Sequence, residues 1–248
     1  MTNWIRGALA LLMALAIAAP AYAADWKKAE THHFIIYSDG STSQLEDYAE
    51  KLEKFDALLR LAFGQQASEQ PTKLRIYLLR SMSQVEDLRG RNIAGFYYAR
   101  TEGSFAVGNR EANDRGLRTL FHEYAHHFLF NNFGFPAPAW FVEGFAEYWS
   151  TAEFRSNGEW SFGLPQDGRA YSIQNGQRIP IEALLTSDSS EIRDAGAFYA
   201  WSWALTHMLY SDPETRGDRL QAYLNEINRG TENLEAARRH FGDLGQLE

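Results

Sequence analysis

The chain has no cysteine among its 248 residues. Thiolate metal sites, disulfides and cysteine nucleophiles are therefore excluded, and any bound metal must be held by His, Asp and Glu. Positive charge is also in short supply. Against 32 acidic residues there are 24 Lys and Arg, for a formal net charge of −8. Nucleic acid is not expected as a partner, because binding phosphates requires a basic face. After the first twenty residues no apolar run approaches the roughly 20 residues that span a bilayer. No internal repeat and no low-complexity linker divides the chain. What is present is apolar mass, 45% hydrophobic and 14% aromatic. That suffices for one substantial core, so one domain is expected.

The first 23 residues read as a secretory signal peptide. Arg6 supplies a positive start, Gly7 to Ala19 is an apolar and small-residue run, Pro20 breaks it, and Ala21-Tyr22-Ala23 is a cleavage signal. The run is short for a spanning helix, although an uncleaved anchor is the alternative reading. The expected mature chain, residues 24–248, is exported to a bacterial periplasm or beyond the cell and does not engage the membrane after cleavage.

Periodicity then predicts strands before helices. Phe34 to Tyr37 and Leu74 to Leu79 read as strands, separated by an amphipathic helix from Leu45 to Phe63 that Gly64 ends. A short helix follows at 81–88. Phe96 to Tyr98 and Ser104 to Val107 read as a hairpin around Thr101-Glu102-Gly103. Asn113-Asp114 is placed to cap a helix over 117–130. A further helix is expected at 140–152, and others at 181–185, 195–210, 219–228 and 234–241. The polar, glycine-rich stretch 156–177 reads as a surface loop or a poor hairpin. The fold class is α+β: a mixed sheet with helices, followed by a helical C-terminal part.

The chemistry lies in His122-Glu123-Tyr124-Ala125-His126. Positions i and i+4 of a helix lie one above the other on the same face. Two imidazoles so placed can bind one zinc ion, and the glutamate beside the first can act as a general base toward water. The bland alternative is a pair of buried histidines bonded to the backbone. A catalytic zinc takes three protein ligands, so a third is needed from an element that folds back. Glu143 is the candidate, separated from His126 by 16 residues across a proline-bearing connection. A carboxylate in so apolar a segment needs a partner, and metal ligation would provide one. Glu147, one turn on, fits the role of a carboxylate that orients a metal-bound imidazole. The alternative for both glutamates is a solvated helix stripe. His127 points about 100° away around the helix and reads as a packing residue. His32 and His33 show no partner pattern and are assigned no role.

His122-Glu123-x-x-His126 followed by Trp140-Phe141-x-Glu143-Gly144-Phe145-Ala146 resembles the gluzincin metallopeptidases, the thermolysin and aminopeptidase N class. The spacer is slightly shorter and closer to the bacterial peptidase-MA-like group. The resemblance implies a zincin-like domain holding one zinc per chain. It also implies His122, His126 and Glu143 as ligands, Glu123 as general base, Glu147 as an outer carboxylate, and a peptide or protein as substrate. It further suggests Tyr199 as the donor to the oxyanion, although Trp201-Ser202 replaces the Lys-Gly of the aminopeptidase segment. A core tyrosine is the alternative for Tyr199, with His207 and Tyr171 as substitutes in the role. By the same analogy, the strand Ser104, Phe105, Ala106 and Val107 would be the edge that aligns substrate. The acidic segment that anchors a free amino terminus in aminopeptidases is not evident, and Glu102-Gly103 is a poor substitute. Endopeptidase or dipeptidase cleavage is therefore left open. The competing readings are a catalytically weak zinc module that binds peptides or cell-envelope polymers, and a metal-free helix pair.

Overall fold

Alternation of apolar and exposed positions builds the sheet. In a computed structural model of the chain, which describes residues 25–69, 71–100, 103–110, 114–133, 137–188, 194–211 and 218–247, Phe34, Ile36 and Ser38 of β2 (Phe34–Ser38) point inward. So do Leu74, Ile76 and Leu78 of β3 (Leu74–Leu79). The sheet has five strands in the order β1-β2-β3-β5-β4, with β1 at Lys27–Glu30, β4 at Phe96–Tyr98 and β5 at Phe105–Asn109. β2, β3 and β5 run parallel, and the outer strands β1 and β4 pair antiparallel to their neighbours. The expected signal peptide lies outside the described residues. No helix among the described residues is long and apolar enough to cross a membrane.

The helix α1 (Thr42–Phe63) covers the sheet. Its first turn is capped by the Ser41 side chain, which accepts from the Gln44 N–H, and it stops at Gly64 in the left-handed region, φ 61°. Leu45, Leu52, Phe55 and Leu59 are its buried stripe. α2 is Met82–Arg89 and α3 is Asp114–Asn132. α3 packs through Phe121, Tyr124, Ala125 and Phe128, with the Phe121 ring stacked on Phe55 at 4.2 Å and the Tyr124 ring edge-on to Phe34 at 4.9 Å. That buried stripe turns the opposite face of α3, bearing His122 and His126, toward the next helix. The expected cap at Asn113 lies outside the described residues.

α4 (Ala139–Trp149) returns against α3 and is clamped from behind by α7 (Ala195–Ser211). Gly144 makes the close approach possible. A methyl there would collide with the Thr206 hydroxyl and meet the Ser202 carbonyl oxygen at 2.5 Å. Gly144→Ala is therefore expected to destabilise the fold by about 1–3 kcal/mol through overpacking, read as a lower urea midpoint at unchanged m-value. The remaining elements are a two-stranded ribbon, β6 (Glu153–Phe154) with β7 (Trp160–Ser161), and helices α5 (Asp167–Asn175), α6 (Ile181–Thr186), α8 (Asp218–Asn228) and α9 (Asn233–Phe241). A 3₁₀ turn, Leu244–Gln246, follows. The architecture is mixed α+β and mostly helical, with a contiguous core reaching from Phe34 to Leu244.

Two expectations are corrected. Residues 104–107 are not an edge: β5 lies between β3 and β4, with its backbone engaged on both sides. The edge on this side of the sheet is β4. The stretch 156–177 is not irregular throughout, since it contains β7 and the helix α5.

Candidate metal centre

The geometry of α3 and α4 brings the two histidines and Glu143 to one point. His122 Nε2 and His126 Nε2 are 3.1 Å apart. Glu143 Oε2 lies 3.4 Å from the first and 3.6 Å from the second. A tetrahedral zinc with bonds near 2.05 Å has ligand–ligand edges of about 3.3 Å. Glu143 Oε2 is buried and accepts no hydrogen bond, an orphaned anionic oxygen aimed at two imidazole nitrogens. The donor set, two imidazoles and one carboxylate, is the chemistry zinc takes, so the residues fit the ion.

Glu147 is nearly inaccessible, 3% exposed, and approaches His122 Nδ1 through Oε1 at 3.3 Å. An Nδ1–H donated to that carboxylate leaves Nε2 as a free ligand. Arg169 of α5 grips the same carboxylate with two bonds, Nε to Oε2 at 2.7 Å and Nη2 to Oε1 at 2.5 Å, and Gln166 adds a third at 3.2 Å. Burial pushes Glu147 up, but His122 and Arg169 overcome it and hold the carboxyl at about 2. Sequence reasoning missed Arg169 and Gln166. Both lie in the stretch read as loop, and no local spacing ties them to Glu147.

Burial presses His126 down to about 4, so this imidazole is neutral at pH 7. For His122 burial acts in the same direction, but the Glu143 and Glu147 carboxylates prevail and hold it well above its usual value. Glu123, only 8% exposed, is raised to about 7 by burial, with Glu143 and Glu147 adding to the rise and His122 opposing it. Its carboxylate accepts from the Tyr97 backbone N–H, so the edge strand β4 touches the general-base candidate. Gly95, just before β4, lets the chain pass this close: a methyl there would meet Thr119 Cγ2 at 2.5 Å, the Val107 carbonyl oxygen at 2.9 Å and Glu123 Cγ at 3.4 Å.

Tyr199 reaches the site from α7. Its ring centroid is 6.2 Å from that of His122, and the Arg169 guanidinium lies 5.2 Å over its face. Burial and the surrounding carboxylates raise its phenol. His122, Glu123, Glu147 and Tyr199 line one open cleft of about 540 Å³, walled by Asn92 to Gly95 on one side and Gln166 to Arg169 on the other. The two substitutes for Tyr199 are elsewhere: Tyr171 is exposed, and His207 packs against Trp203 and Tyr148. His127 packs as expected, between Tyr97 and Tyr124, with Nδ1 3.1 Å from the Tyr97 hydroxyl.

A second cluster joins His33, Glu53 and Asp56. His33 Nδ1 lies 2.7 Å from Glu53 and 3.3 Å from Asp56. Asp56 also receives Arg60 at 2.8 Å and the Tyr124 hydroxyl at 2.5 Å. Arg60 already supplies the positive charge that a cation would bring, so these groups form a network tying β2 and α1 to the helix of the histidines. His33, assigned no role from sequence, is part of that network. Its partners lie 20 or more residues away. No protein-family model matches this chain, and no curated protein matches it.

Proposed function

We propose that the protein is a zinc-dependent peptidase of gluzincin type, exported after removal of residues 1–23, with residues 24–248 as one zincin-like domain. The observation that carries this reading is the convergence of His122 Nε2, His126 Nε2 and the orphaned Glu143 Oε2 within 3.1–3.6 Å of one another. The order of elements supports the zincin-like assignment: a mixed sheet, then the helix of the histidines, then a returning helix that carries the third ligand.

Zinc, when bound, supplies Lewis acidity that polarises the scissile carbonyl and lowers the pKa of water. Glu123 then takes a proton from the attacking water on its carboxylate and delivers it to the leaving amine. Tyr199 lines the same cleft, and its hydroxyl is the donor to the oxyanion that develops on the carbonyl oxygen. Glu147 fixes the His122 ring through Nδ1, and Arg169 fixes Glu147. The edge strand β4, rather than β5, is the segment available to align an extended peptide.

Protein purified without chelators is expected to carry about one zinc per chain. Added to zinc-free protein at about 1,000 times its dissociation constant, zinc should raise the unfolding free energy by about 4 kcal/mol. Metal analysis and denaturant melts read both. Absence of metal, with no gain in stability on adding zinc, would leave a metal-free helix pair and overturn the proposal.

A further inference from the structure

The face of α3 that holds the ligands does not end at His122. At 100° per residue, Arg115, Arg118 and Thr119 fall on the same face as His122 and His126, one and two turns toward the N-terminus. Arg115, Arg118 and Thr119 all line the cleft that contains His122 and Glu123. Arg115 is exposed and Arg118 half-buried. Among the described residues, neither guanidinium has an ion-pair or hydrogen-bond partner.

The other charged groups of the cleft are accounted for. Arg169 is bound to Glu147, and Glu123 is placed for proton transfer. Asp167, on the opposite wall, forms no ion pair with either arginine. Two arginines without a partner among the described residues thus stand over the approach to the metal centre, in a chain whose formal net charge is −8. An isolated guanidinium in a cleft is well suited to a carboxylate, which it can hold through two parallel N–H···O bonds.

We propose that Arg115 and Arg118 form a carboxylate-binding subsite, and that the substrate is a peptide bearing a free carboxylate close to the cleaved bond. This rests on the peptidase reading and extends it to the class of substrate. Along α3, Arg118 and Arg115 lie about 6 Å and 10 Å before His122, at 1.5 Å per residue. An extended peptide advances about 3.3 Å per residue, which puts the carboxylate roughly two to three residues from the bond. The carboxylate can come from an acidic side chain or from the peptide's own C-terminus. The chemistry recognised is the same.

The test uses the zinc-loaded protein and a mixed peptide library, supplied with its carboxylates intact or with all of them amidated. Wild type is expected to cleave the intact library about tenfold better, the size of a charge-assisted hydrogen bond or more. The Arg115→Gln/Arg118→Gln variant should lose that discrimination and treat the two libraries within about twofold. Asp or Glu enriched at a fixed position from the bond identifies a side chain as the source. Cuts at a fixed distance from the C-terminus identify the terminal carboxylate. The same loss of discrimination should appear in equilibrium binding, read by fluorescence anisotropy in a Glu123→Gln background with a labelled peptide from the cleaved set and its amidated twin. Equal cleavage of both libraries by wild type, or a preference that survives in the double variant, overturns the subsite but leaves the peptidase intact. Cleavage of neither library removes the peptidase reading and the subsite with it.

Discussion

Glu123→Ala is expected to lower kcat/KM for peptide hydrolysis by about two to four orders of magnitude and to leave zinc content unchanged. Glu123 makes no ion pair with His122, His126 or Glu143, so its loss leaves the three converging atoms in place. Among the described residues its one direct tie is to the Tyr97 N–H, an edge-strand donor beside the open cleft that water can satisfy. Stability should therefore change little, and the fold should survive the substitution. Removing a buried carboxylate even relieves desolvation that raises it to about 7. Kinetics on a cleaved peptide, with metal analysis of the same sample, separate the outcomes. Activity undiminished in the variant would point to a contaminating protease. If no peptide in a broad library is cleaved in a Glu123-dependent way, while zinc is still bound, the catalytically weak binding module becomes the better account.

The parts of the site legible in the sequence are those set by local helix geometry. His122 and His126 are four residues apart, as are Glu143 and Glu147, so each pair shares a face whatever the rest of the chain does. The 16-residue spacer allows a helix to finish and return, which made Glu143 readable as well. Arg169 was not readable because α5 has no buried residue and hence no apolar stripe to announce a helix. Its place comes from long-range contacts, the ion pair with Glu147 and the face of the Tyr199 ring. The strand β1 was missed for a similar reason: Lys-Lys-Ala-Glu is charged and half-exposed, and only its pairing with β2 makes it a strand. The sheet edge was misjudged because strand order is non-local. The hairpin of 96–98 with 104–107 was visible in the sequence, but nothing local reveals that β5, not β4, pairs with β3. The role of His33 likewise depends on residues of another element.

Arg169→Met is expected to be the most disruptive single change near the site that touches no metal ligand. Glu147 is almost fully buried, and Arg169 supplies two of its hydrogen bonds and, among the described residues, its only permanent countercharge. Stripping one partner from a buried pair costs about 3–5 kcal/mol, because the remaining charge stays desolvated. The lower part of that range is expected, since protonated His122 can still face Glu147 in zinc-free protein. α5 should also loosen, and the Tyr199 ring loses the cation over its face. Zinc affinity should fall about 10- to 100-fold, because Glu147 no longer holds the His122 ring firmly. Acid provides a further reading. A carboxyl at about 2 when folded, against an ordinary glutamate near 4.5, stabilises the fold above pH 4.5. That contribution, about 3 kcal/mol, drains away as pH falls from 4.5 toward 2, and in Arg169→Met the decline should shrink but persist, because His122 still lowers the carboxyl. The double change Glu147→Gln/Arg169→Met decides whether charge or packing is responsible. It removes the stranded carboxylate and should recover most of the lost stability in urea while leaving zinc affinity low. If the double variant is no more stable than Arg169→Met, the ion pair is not what holds α5 to the metal centre.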